Sequence, residues 1–170
     1  KSLWWYGHLK RSLNSDFFLF FMFTILAISD SDKHFSTALQ EYRKRLWKQL
    51  IIDDLKPFRD ENQFLVIEKE TDKLIDQLHK KYSHHQKFLL IKEGEQLDTI
   101  AFSQVLQGKE SVFIIGGPYG VDDKKLKTGF PSLKMLSFWA ITLPHGLAKL
   151  TLVEQLYRAT TLWSGKKYHY

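Results

Sequence analysis

Ser111-Val112-Phe113-Ile114-Ile115-Gly116-Gly117-Pro118-Tyr119-Gly120 decides the fold class of this chain. Its apolar run has no polar alternation, the pattern of a strand covered on both faces, and it empties directly into a glycine loop. Without a Cβ, backbone there can approach a ligand and glycine can take positive φ, while Pro118 fixes its own φ. The same residues also suit an ordinary strand-ending turn. The loop lacks the Gly-Lys-Ser/Thr ending of a P-loop and the GxGxxG spacing of a dinucleotide site, which demotes both nucleotide-binding classes.

Strand-like and helical patterns alternate outward from this stretch. On the C-terminal side, residues 122–127 read as a short helix and 136–143 as a strand that includes Trp139-Ala140-Ile141-Thr142-Leu143 and turns at Pro144. His145 and Gly146 then open a helix over 146–163, with Leu147, Leu150, Val153, Leu156 and Tyr157 as its packing stripe. Glu154 and Arg158 lie four apart on it and can pair, a contact worth about 0.3–0.5 kcal/mol if exposed. On the N-terminal side, residues 87–91 predict a strand, Glu93-Gly94-Glu95 a loop and 99–106 a helix. Further back, Phe64-Leu65-Val66-Ile67 reads as a short strand before a helix over 71–82, and Phe35, Leu39, Tyr42, Leu46 and Leu50 recur at helical spacing after the capping residues Asp30-Ser31-Asp32. Residues 23–29 complete the pattern as a first buried strand. The order argues α/β, a mostly parallel sheet flanked by helices.

A chain of 170 residues fits one domain, and 44% hydrophobic and 15% aromatic content gives it a core that disordered sequences lack. The formal net charge of +6 suits an acidic partner such as nucleic acid. With no cysteine, disulfides, thiolate metal sites and thiol nucleophiles are all excluded. The seven histidines fall in no metal spacing with carboxylates, so no metal is expected. The apolar run over 17–28 is too short for a membrane span, which takes about 20 residues, and no small-x-small cleavage site follows it. Residues 1–21 are read as a leader or appended extension and 22–170 as a single domain, with no membrane association and a cytoplasmic location.

Three ordered motifs carry a family resemblance: Gly116-Gly117-Pro118-Tyr119-Gly120, Leu143-Pro144-His145-Gly146 and Val153-Glu154-Gln155-Leu156-Tyr157-Arg158-Ala159, followed by the tail Tyr168-His169-Tyr170. Together they closely resemble the RlmH family of SPOUT methyltransferases. The resemblance implies a SPOUT-type α/β knot with a C-terminal trefoil knot, which periodicity would not predict because threaded chains are rare. It implies a homodimer that uses S-adenosyl-L-methionine to methylate N3 of a pseudouridine in 23S rRNA, with the assembled ribosome as partner. By position, it places cofactor contacts at Ile91, Gly116, Gly117, Trp139, Ala140, Ile141, Thr142, Leu143 and Pro144. It gives Arg158 and His169 catalytic roles and assigns Lys166, Lys167 and Tyr168 to RNA. Relatives commonly carry a basic residue after the histidine, where this chain ends with Tyr170. Two other readings stand beside it: an inactive SPOUT-fold ribosome-binding or assembly protein, and a SPOUT methyltransferase acting on another RNA nucleoside.

Overall fold

The computed structural model describes residues 21–30, 34–138 and 140–165. At its centre is β1 (Phe23–Ile28), buried at every residue. Alternate side chains of a strand point to opposite faces, and β1 divides accordingly. Phe23, Ile25 and Ala27 enter one apolar cluster, while Leu26 and Ile28 enter another. β4 (Ser111–Ile115) beside it splits the same way, Phe113 and Ile115 to the first cluster and Val112 and Ile114 to the second.

The parallel sheet has the order β2-β1-β4-β3-β5, with β2 at Leu50–Leu55, β3 at Gln86–Gln96 and β5 at Lys134–Ser137. Phe23 pairs with Leu50 on one side and Ser111 on the other. Among the described residues five α-helices complete the fold: α1 (Ser36–Leu46), α2 (Gln63–Lys81), α3 (Thr99–Leu106), α4 (Asp123–Gly129) and α5 (His145–Trp163). Side chains of α1, α3 and α5 fill the first cluster, and those of α2 and α4 the second. The α/β architecture with both sheet faces covered is therefore as the alternating pattern predicts.

Five local expectations are overturned. Phe64-Leu65-Val66-Ile67 is the first turn of α2 rather than a strand: Asn62 caps it, its Oδ1 accepting from the backbone N–H groups of Phe64 and Leu65 at 3.0 and 3.4 Å. The apolar run then splits by helical spacing, leaving Phe64 85% exposed while Val66 is buried with Glu70, Leu74 and Leu78. The helix expected to run through Leu50 ends at Leu46; after a 3₁₀ turn at Trp47–Gln49, Leu50 begins β2, drawn into the sheet by pairing with β1. Glu93, Gly94 and Glu95 lie inside a longer β3, across a register shift, where a Cβ on Gly94 would fall 2.4 Å from the Leu136 carbonyl carbon. Lastly, β5 stops at Ser137, so the strand expected to reach Leu143 is mostly an irregular segment. The helix start also differs: Phe35 occupies the N-cap of α1 without a side-chain bond, and residues 31–33 lie outside the described residues.

One buried cation pins the end of the sheet. The Lys149 side chain, only 1% exposed, donates to Asp54 Oδ1 at 2.8 Å and to Ser29 Oγ at 3.0 Å. It thereby ties α5 to the C-terminal ends of β1 and β2. Burial of an ammonium is tolerable there because an anion and a hydroxyl replace its water.

Candidate active site

The C-terminal ends of β3, β4 and β5 open into a cleft of about 270 Å³, the expected ligand position in an open parallel sheet. The glycine turn forms one wall. Gly120 N–H donates to the Gly117 carbonyl at 2.9 Å, closing a four-residue turn with Pro118 at its second position. Gly120 takes φ +81°, a conformation that disfavours side chains. At Gly117 the constraint is contact: a Cβ would lie 2.2 Å from Glu70 Oε2. Gly120 is thus dictated by the turn and Gly117 by what packs against it.

Opposite the turn, Ile141, Thr142 and Leu143 descend from β5 towards α5, while Ile91, Lys92 and Glu93 come from β3. The walls are largely aliphatic, with Ser137, Thr142 and His145 as polar points and Lys92 and Glu93 as charged ones. Such a mixture suits a ligand with a flat apolar part and a few hydrogen-bonding groups. Of the sequence-predicted contacts, Ile91, Gly116, Gly117, Ile141, Thr142 and Leu143 meet in this cleft. Ala140 and Pro144 are exposed neighbours that do not line it, and Trp139 lies outside the described residues. Sequence reasoning missed Leu136, Phe138 and Ala148, which look like ordinary core positions along the chain. It also left out His145 and Val121, although each adjoins a motif that had been read.

Arg158 is not among the cleft residues. Its guanidinium donates to Glu154 Oε1 through Nη2 at 2.6 Å and Nε at 3.1 Å, and both side chains are mostly covered. The pairing expected from their spacing is present. Along α5, Arg158 stands 13 residues beyond His145, or about 20 Å at the rise of an α-helix. Lys166, Lys167, Tyr168 and His169 lie outside the described residues. Among the described residues, no group of His, Asp and Glu is placed to hold a metal ion, and no helix is long and apolar enough to cross a membrane.

Against the back of the cleft wall lies one titratable group that its surroundings perturb, Glu70. Burial pushes its carboxyl above the usual carboxylate range; the Phe58 N–H and the charge of Lys73 act in the opposite direction. It was not singled out in the sequence, where it falls in the connection between the expected strand over 64–67 and the expected helix over 71–82. The signal that would have found it is its place on the Val66, Leu74, Leu78 face of α2.

Residues 21–169 match the family model described as predicted SPOUT methyltransferase. Similar proteins include the ribosomal RNA large subunit methyltransferase H of Mycoplasmopsis agalactiae, 34% identical over 85% of this chain and 96% of that protein. The protein of the same name from Flavobacterium psychrophilum is 30% identical over 86% of this chain and 97% of its own length. Among solved structures, the ribosomal RNA small subunit methyltransferase E of Neisseria gonorrhoeae, bound to S-adenosyl methionine, superposes with a TM-score of 0.53 at 11% identity. That likeness covers 81% of this chain and 66% of the other, and it bears on the fold alone.

Proposed function

The chain belongs to the SPOUT methyltransferase family, and from that premise we propose that it transfers a methyl group from S-adenosyl-L-methionine to N3 of a pseudouridine in 23S rRNA of the assembled ribosome. The observation that carries this reading is the cleft, where the glycine turn, the end of β3 and the segment after β5 converge. Its residues fit the cofactor: Gly116 and Gly117 line the cleft with backbone alone, their missing side chains lying towards Val121 and Glu70, and Ile91, Ile141 and Leu143 offer apolar cover for a flat base. When bound, the cofactor supplies a methyl group already activated by its sulfonium. The protein's part is to hold the cofactor and the target nitrogen in line, and to favour loss of the imide proton.

Arg158 and His169 are proposed for that second task, and chain geometry supports their arrival from a second copy of the protein. α5 has 19 residues and so spans about 28 Å. It starts in the cleft at His145 and ends at Trp163, whose ring lies 6.1 Å from that of Phe23 at the opposite end of the sheet. From Trp163 to His169, even a fully extended chain covers only about 21 Å. Neither residue of one protomer is therefore suited to its own cleft, and a homodimer is part of the proposal. The role of Arg158 is electrostatic: a permanently protonated guanidinium stabilises a developing anion but is a poor base. Glu154 fixes its orientation through two hydrogen bonds to one oxygen. The tail lysines Lys166 and Lys167, with Tyr168, would contact RNA phosphates. The trefoil knot belongs to the same reading, supported by the shared cleft of the glycine turn and the segment after β5, as does a cytoplasmic location.

Labelled S-adenosylmethionine, assembled ribosomes lacking the modification and free 23S rRNA provide the test, with nucleoside mass spectrometry of the product. Labelled 3-methylpseudouridine from ribosomes is the expected result. Label in another nucleoside would redirect the enzyme to a different RNA target. No transfer despite ribosome association, with no cofactor binding, would make it an inactive ribosome-binding protein.

A further inference from the structure

Glu70 and Thr71, successive residues of α2, hold the two flanks of the glycine turn from outside the cleft. Thr71 Oγ1 accepts from Asp122 N–H at 2.9 Å, and Asp122 in turn caps α4 through Lys125 N–H. Glu70 is fully buried; its Oε1 accepts from Phe58 N–H at 3.0 Å, while Oε2 lies against Gly117 with no hydrogen-bond partner. A turn only four residues long, packed at Gly117 against Glu70 and followed two residues beyond Gly120 by the bond to Thr71, has little freedom to rise or sink.

We propose that Glu70 is a positioning residue for cofactor binding: its carboxyl, wedged between Phe58 and Gly117, sets how far the glycine turn projects into the cleft. This rests on the reading that the cleft holds S-adenosylmethionine. An apolar residue of similar length would leave the Phe58 N–H unsatisfied, so the site requires an acceptor as well as bulk. The neutral carboxyl meets both needs; ionisation places a charge in a buried space behind the turn, which the Phe58 N–H and Lys73 offset less than burial penalises it. Desolvation favours the neutral form, as the raised pKa of Glu70 records. The cation acting on it is Lys73, whose ammonium donates to the Lys56 carbonyl. The neighbouring seam between α2 and α4 carries Glu68, Asp72, Asp122 and Lys125, with Lys125 paired to Asp72.

The test compares wild type with Glu70→Ala, Glu70→Leu and Glu70→Gln. Calorimetry gives the dissociation constant of S-adenosylhomocysteine from about pH 4.5, the ordinary carboxylate value, to about pH 9, and ribosome methylation gives KM for the methyl donor and kcat. Ala and Leu should each raise the dissociation constant and KM by about tenfold or more, with kcat at saturating donor within about threefold. Gln should bind like wild type at the acid end and lose the weakening that wild type shows as pH rises. Wild-type affinity in both Ala and Leu, or an equal fall in kcat with KM unchanged, overturns the proposal. If neither variant folds, wild type and Gln decide it: the same pH dependence in both refutes a positioning role, and a dependence confined to wild type upholds it. Failure of wild type itself to bind S-adenosylhomocysteine would instead overturn the function on which the proposal rests.

Discussion

Replacing Gly117 with Ala tests the cleft wall most directly. The new methyl would lie 2.2 Å from Glu70 Oε2 and 3.0 Å from its carboxyl carbon, where ordinary contact begins at 3.4 Å. The carboxyl must therefore retreat by roughly 1 Å, and Oε1 is held by Phe58 N–H. Overpacking in a filled interior costs about 1–3 kcal/mol. Losing the Phe58 bond adds about 1–3 kcal/mol if that donor is left dry. Together they predict a loss of about 2–6 kcal/mol, taken as lower global stability or as weaker cofactor binding if the turn yields locally. Urea unfolding should shift to lower midpoint by about 1–3 M, given a slope of about 2 kcal/mol per M. If the strain goes into the turn instead, the dissociation constant of S-adenosylhomocysteine should rise by a factor of about 30 or more. Adding Glu70→Ala to the variant removes the colliding group, so the pair should be less damaging than the sum by at least about 1 kcal/mol. An alanine variant with wild-type midpoint and wild-type affinity would refute the contact argument. Strict additivity with Glu70→Ala would do the same.

Three further outcomes are expected. Because the Glu70 pKa in the folded protein exceeds the ordinary 4.5, its contribution to stability is complete below that value and declines as pH rises through the folded pKa. The stability of wild type relative to Glu70→Gln should fall over that interval and then level, as measured by urea midpoints from about pH 4 to pH 8; a rising difference would contradict the assignment. Asp54→Ala takes the carboxylate from the buried ammonium of Lys149, leaving it the Ser29 hydroxyl, and should cost about 3 kcal/mol, the low end for a broken buried pair because Asp54 is partly exposed. Lys149→Met removes the charge along with its need for a partner and should cost less, an order that paired denaturation curves would check. Finally, Arg158→Ala and Gly117→Ala should each cripple methylation alone. If the site is shared between copies, mixing and refolding the two should restore about a quarter of wild-type activity, since half the dimers are mixed and each has one intact site; no recovery would place both residues in the same protomer's site.

The legible parts of the fold were those with a single physical interpretation. Val112-Phe113-Ile114-Ile115 has no polar face and can only be buried on both sides, and it is β4. The helix beginning at His145 was visible because Pro144 and the apolar repeat agree on its start. The Phe64-Leu65-Val66-Ile67 run was ambiguous, since a short apolar tetrapeptide fits a strand and a helix alike; Asn62 as a cap was the overlooked cue. Leu50-Ile51-Ile52-Asp53-Asp54-Leu55 was hidden by its two acids, one of which meets Lys149 some 95 residues away. That partner cannot be inferred from local pattern. In the site, Gly116, Gly117 and Leu143 were legible through the turn chemistry and the family resemblance. Leu136, Phe138 and Glu70 were not, because their roles come from what the topology sets beside them.

β1 has a further consequence, for the chain as it is made. It is sandwiched between β2 and β4, and its pairing with β4 joins Phe23 to Ser111. During synthesis at about 5–20 residues per second, the second edge of this strand therefore waits roughly 4–18 s for its neighbour. In that interval Phe23-Thr24-Ile25-Leu26-Ala27-Ile28 is an apolar segment with an open edge, the kind of surface that chaperones hold and that aggregates form on. A protein proposed to act on ribosomes would thus depend, at its own birth on one, on how long its central strand can be kept from the wrong partner.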